Sequence, residues 1–268
     1  MNKRKSLKEL NLLDKFLFDE AMDDPENVKT MLDIILSQNT NLKQSPQTEK
    51  EQRISTDNRQ IRLDVYAIDE DDVIYEVEAQ KENTHNLLKR SRLYQGIIDS
   101  KLLPPGVVDF NLLNEVLIVM ITPFDLFGYG LYRYTFQMRC EEVPELKLDD
   151  GATRIFLNTR GKHPELVSSE LIELLKYMEH STDEVSEACE SKRIQEMHRR
   201  VCRIKASEKT EVKYMQAWEE KLLERQKEKR ELLRKMNHKM SIEKIADVLD
   251  MDVSEVKDII EEQYDTED

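Results

Sequence analysis

The chain has 268 residues but only 6 glycines and 7 prolines, and neither residue occurs after Pro164. A stretch of about a hundred residues without either breaker predicts helix unless side chains interrupt it. Cysteine is also scarce. Cys140, Cys189 and Cys202 form no C-x-x-C pair and cannot all pair among themselves, which excludes a disulfide framework or zinc knuckle and fits a reducing compartment. No apolar run approaches the roughly 20 residues of a membrane helix. The start, MNKRKSLKELNLL, lacks the apolar core and cleavage site of a signal peptide, so a cytoplasmic location with no membrane partner is expected. Positive charge is in deficit as well: 41 Lys and Arg stand against 55 Asp and Glu, a net charge of -14. Such a surface repels nucleic acid as a whole, so any DNA contact must be local.

Hydrophobic positions make up 39% of the chain, enough for a sizeable core. From Pro25 to Ser37, Val28, Met31, Leu32, Ile35 and Leu36 recur at helical spacing. The polar stretch 42–58 reads as a loop or an edge excursion. Ile61, Leu63, Val65 and Ala67 then alternate with polar neighbours, and Ile74 to Ala79 alternates again after the acidic turn at 69–72, which together read as a hairpin. Helical periodicity returns over 82–103 and ends at Pro104. The run from Val116 to Ile121 is continuous and apolar, as in a strand covered on both faces. These elements make a mixed α/β core. Beyond 164, residues 166–177 read as one helix and 183–236 as a long charged one, whose Val201, Ile204, Val212, Met215, Trp218 and Leu222 suggest a face packed on itself or on a partner. Residues 240–262 have a helix-turn-helix rhythm, with Ser241 and Ser254 as caps.

The residues with chemical promise are Asp64 and, on the next strand, Glu76-x-Glu78-x-Gln80. Side chains two apart in a strand point the same way, so Glu76, Glu78 and Gln80 share a face. If Asp64 faces the same side, two carboxylates approach closely, an arrangement that a hard divalent cation such as Mg²⁺ stabilises. The alternative is a solvated acidic strand face. Lys81, Lys89, Arg90 and Arg92 follow the motif and Arg59 and Arg62 precede it, so a basic patch for phosphate is available. Arg90 and Tyr94 lie one helical turn apart and could hold a phosphate and stack on a sugar or base. These arginines could equally pair with the surplus carboxylates. The aromatics at 124–136 fit the core of a hairpin. His198 and Cys202 are four residues apart, but with no further ligand they read as structural helix positions. The second tail helix carries Asp258, Glu261 and Glu262 against Lys257, so oligomerisation or docking suits it better than reading DNA.

Asp64 followed by Glu78-Ala79-Gln80 resembles the D…(D/E)-x-K signature of the PD-(D/E)xK nucleases, with glutamine in the lysine's place. The segments FDEAMDDPENVKTMLDIIL, RLDVYA, IYEVEAQ, KRSRLYQGIIDS and ITPFDLFGYGLYRYTF are similar in order and wording to the bacterial recombination-promoting nuclease and transposase-like (Rpn-like) branch of that superfamily. The resemblance covers roughly residues 14 to 161. It implies an α/β, restriction-endonuclease-like core with a mixed sheet flanked by helices over residues 1–165. A charged helical extension over 166–238 and a small helical pair over 239–268 would follow. It further implies a Mg²⁺- or Mn²⁺-dependent DNA endonuclease in which Asp64, Glu78 and the Ala79 carbonyl hold the metal. Gln80 would orient water without supplying the lysine's charge. DNA would be held by Lys81, Lys89, Arg90, Arg92 and Tyr94. Glu20, Asp19, Asp23 and Asp24 all remain open as a further ligand. The rival expectation is a non-catalytic DNA- or partner-binding protein on a nuclease scaffold, its helical arm mediating homo-oligomerisation.

Overall fold

A computed structural model describes residues 4–52 and 61–261. Arg59 and the end of the expected loop lie outside the described residues. Six strands form one mixed sheet in the order β1 (Gln47–Gln52), β2 (Ile61–Ile68), β3 (Ile74–Ala79), β4 (Val116–Thr122), β6 (Ala152–Asn158) and β5 (Arg133–Phe136). The β2–β3 pair is antiparallel, as its short acidic turn allows, whereas β3, β4 and β6 run parallel. The polar stretch before β2 takes the edge position, with β1 pairing antiparallel to β2.

Among the described residues, nine α-helices follow from caps as much as from periodicity. α1 (Lys15–Met22) precedes α2 (Pro25–Leu36), where the Asp24 carboxylate accepts from the Glu26 N–H at 3.0 Å and Pro25 occupies the first turn. α3 (Leu87–Asp99) starts later than periodicity predicts. Asn83 accepts from the His85 N–H, and Thr84 donates to the Asn86 side chain, so local polar bonds replace the first helical turn. Across the centre of the sheet, Ile74, Ile118, Met120, Phe156, Ile97 and Ile98 form a buried layer between strands and α3. Val77, Val119 and Ile155 are buried on the opposite face, so β3 and β4 are covered on both sides. Phe127 packs against Tyr134, Phe136 and Phe156, confirming a core role for that part of the aromatic run.

The expected single helix over 183–236 is three: α5 (Asp183–Glu187), α6 (Lys192–Lys205) and α7 (Glu208–Asn237). Serine does the work that glycine and proline do elsewhere: the Ser191 hydroxyl accepts from the Ile194 N–H and starts α6 afresh. Val201 is therefore buried in one body, while Val212, Met215 and Leu222 are exposed on another helix. α4 (Ser169–Glu179) and α6 both pack on α2, so the first compact unit spans Lys5–Ser207 and passes the expected boundary at 165. The second unit gathers Arg4 and the chain from Glu208 onward. In it Leu233 of α7 is buried with Ile245, Ala246 and Val256 of the tail helices α8 (Ile242–Leu249) and α9 (Val253–Glu261), so 208–261 shares one core and the expected division at 238 does not appear. Ser241 caps α8 as expected, but Ser254 lies inside α9 rather than at its cap. Among the described residues, no helix is long and apolar enough to cross a membrane.

Candidate active site

The hairpin register brings the acids together. Val65 faces Val77 and Tyr66 faces Glu76, and continuing that antiparallel pairing by one residue sets Asp64 opposite Glu78 on the same face. Both are buried in the fold, and Glu76 beside them is completely enclosed. Burial, then the Asp64 carboxylate, push Glu78 up to about 7, against the pull of Arg90, Tyr94 and Lys15. Glu76 is held well above the carboxylate range by burial first and by Glu78 and Asp64 next. Among the described residues, neither Glu76 oxygen has a hydrogen-bond partner, so no hydrogen bond favours its ionised form. The expected acidic face is therefore enclosed rather than solvated.

α1 completes the site with residues the motif does not contain. Lys15 Nζ donates to Asp64 Oδ1 at 2.5 Å, and lies 3.2 Å from Asp19 and 3.6 Å from Glu49 of β1. Burial lowers the Lys15 pKa, but the Asp64 and Asp19 carboxylates outweigh it and the net shift is upward. Burial pushes Asp19 up to about 8, with Asp64 and Glu49 adding to the shift and Lys15 opposing it. Of the four open candidates for a further acid, Asp19 is the one whose carboxylate feels Asp64. Lys15 supplies the ammonium that the motif lacks at Gln80. The local clue was the Lys15–Asp19 pair one helical turn apart; its docking against Asp64, 49 residues later, had no signal in the sequence.

α3 supports the acids from the other side. Arg90 Nη2 donates at 2.7 Å to both Glu78 Oε2 and Gln80 Oε1, and its guanidinium lies 5.8 Å from the Tyr94 ring centre. Burial, then the Glu78 carboxylate, push the Tyr94 hydroxyl up. Arg90 is thus a partner of Glu78, the carboxylate pairing that its sequence left open beside a grip on phosphate, and Tyr94 is buried. The Gln80 amide also donates to the Glu82 carbonyl at 2.8 Å. Gln80 is thus anchored at both ends, to Arg90 and to the Glu82 carbonyl. Ala79 ends β3 and is buried beside Glu78. Lys81 is paired with Asp14 at 2.5 Å and Arg62 with Glu49 at 3.1 Å, whereas Lys89 and Arg92 are exposed on α3 as expected.

Asp64, Glu78 and Asp19 form one electrostatic cluster in which burial favours the protonated form of Glu78 and Asp19, but among the described residues their oxygens do not make a set of three within 4.8 Å of one another. His198 and Cys202, expected to lack a further ligand, are joined by Asp183. Neither family models, curated proteins nor solved structures give any match to this chain.

Proposed function

We propose that the protein is a Mg²⁺- or Mn²⁺-dependent DNA endonuclease of the recombination-promoting nuclease type, acting in the cytoplasm. The observation that carries this reading is the burial of Asp64 and Glu78 on adjacent strands β2 and β3, close enough for the Asp64 carboxylate to raise Glu78, with Asp19 and Lys15 of α1 turned toward Asp64. Asp64, Glu78 and the Ala79 carbonyl would hold the ion, with Asp19 at their margin. When bound, it would polarise a phosphoryl oxygen and acidify a water.

The protein's own groups prepare the site. Arg90 fixes the Glu78 carboxylate, and Gln80 fixes Arg90. A cation at Asp64 would replace the Lys15 ammonium as its counter-charge, leaving Lys15 beside Asp19 and Glu49 at the edge of the site, where it would offer a positive charge to a phosphate oxygen. Exposed Lys89 and Arg92 contact the backbone of DNA, weakly and with strong salt dependence given the net charge of -14. Exposed Val212, Met215 and Leu222 on α7 provide an apolar stripe for self-association.

A second reading, a non-catalytic DNA- or partner-binding scaffold, is favoured by one observation: Lys15 and Arg90 already neutralise Asp64 and Glu78. Plasmid nicking with Mg²⁺, Mn²⁺ or EDTA separates the two. The nuclease reading predicts metal-dependent nicking that falls at least about 100-fold in folded Asp64→Ala and Glu78→Ala proteins. Equal nicking by the variants, or none by the wild type in either metal, would leave the scaffold reading.

A further inference from the structure

Three donor atoms of different chemistry converge at the junction of α5 and α6, away from the acidic site. His198 and Cys202 sit four residues apart on α6 and so share a face, and α5 brings Asp183 to them. The His198 Nε2 lies 2.8 Å from Asp183 Oδ1 and 3.3 Å from Cys202 Sγ, while Sγ and Oδ1 are 3.9 Å apart. The three atoms thus form a small triangle with an open side, since the Asp183 side chain is 83% exposed.

A Cys-His-Asp set invites comparison with a nucleophilic triad, but the geometry is wrong for one. In a triad the acid holds one ring nitrogen and the nucleophile meets the other. Here the thiol and the carboxylate address the same nitrogen, Nε2, while Nδ1 faces the Tyr177 hydroxyl at 3.0 Å.

Convergence on one nitrogen is what a shared cation requires. Tyr177 is fully buried, and its ring meets the imidazole edge-on at 5.5 Å, so the histidine is fixed from behind. With Nδ1–H donating to the Tyr177 oxygen, the lone pair of Nε2 is left for a cation, the usual outer arrangement of a metal-bound histidine; Sγ, 3.3 Å from Nε2 and 3.9 Å from Nδ1, lies off that lone-pair axis and has to swing toward it on binding. Tetrahedral donors at about 2.0–2.3 Å from zinc stand roughly 3.3–3.7 Å apart. The His198–Asp183 contact has to open by about half an ångström and the 3.9 Å Cys202–Asp183 separation to close by about 0.2 Å on that geometry. One thiolate and one carboxylate balance a divalent charge, and a sulfur–nitrogen–oxygen set selects a borderline cation over Mg²⁺.

We propose that Asp183, His198 and Cys202 form a Zn²⁺ site with a water-filled fourth position, clipping α5 to α6 and distinct from the oxygen-rich acidic site. The full-length chain, stripped of metal, is titrated with Co²⁺ and then Zn²⁺ while thiolate-to-cobalt charge-transfer absorption is followed. One equivalent of Co²⁺ produces the band, Zn²⁺ abolishes it stoichiometrically and excess Mg²⁺ leaves it unchanged. Cys202→Ser removes the band, Asp183→Asn weakens Co²⁺ binding at least about tenfold, and Asp64→Asn has no effect. Asp183→Asn alters an exposed side chain and so reports on the site even if Cys202→Ser disturbs folding. Absence of the band in the wild type, or a band unchanged in Cys202→Ser or Asp183→Asn, overturns the proposal.

Discussion

Glu78 loses its proton only near neutrality in the folded protein, whereas an unfolded chain gives it up near the ordinary value of 4.5. Between these values the folded state holds a proton that the unfolded state has released, so this residue makes stability fall as pH rises from 4.5 to about 7 and level off above. Asp19 acts in the same direction, from 3.8 to about 8. Urea unfolding across this range is expected to show a loss on the order of 2–3 kcal/mol assignable to Glu78. Glu78→Gln, which cannot ionise, is expected to flatten that part of the curve; an unchanged slope would contradict the account. Such acids suit a site that exchanges protons for a divalent cation, because burial alone raises the cost of the empty ionised form.

At the level of elements, α3 clamps β3 through Arg90. Arg90→Met removes the counter-charge of Glu78 while keeping most of the side-chain bulk. It is expected to cost about 2–4 kcal/mol at pH 8, where Glu78 is ionised, and much less at pH 5, where it is not. Urea midpoints at the two pH values test this, and equal losses would count against the clamp. The same elements explain what was legible beforehand. Alternation over 61–67 and 74–79 was enough to find β2 and β3, and period-two geometry was enough to align Glu76 with Glu78. The role of Arg90 was not legible, because a basic residue on a helix looks the same whether it faces phosphate or reaches back to a buried acid. Lys15 and Asp19 were hidden for a related reason: α1 docks on β1 and β2 through tertiary packing that no local pattern encodes. Serine caps divided the long charged segment, and capping by Ser191 was weaker evidence in the sequence than the absence of glycine and proline.

On the scale of the whole molecule, the chain has two compact units with separate cores, one built on the sheet and the other on Leu233, Ile245, Ala246 and Val256. Calorimetry is expected to resolve two unfolding transitions. Leu233→Ala should destabilise the helical unit by about 2–4 kcal/mol and leave the sheet unit's transition in place, whereas a single transition shifted as a whole would contradict independent cores. On the proposed function, the charge of -14 would require a cation to neutralise the acids before a polyanion approaches. The most direct test is therefore Mg²⁺ titration calorimetry at pH 7 without DNA, in two buffers of different ionisation enthalpy, on wild type, Asp64→Asn and Glu78→Gln. The account predicts saturable binding with proton release in the wild type and at least about tenfold weaker binding in both variants. Wild-type protein with no saturable Mg²⁺ binding, or with binding that both variants retain, would contradict it.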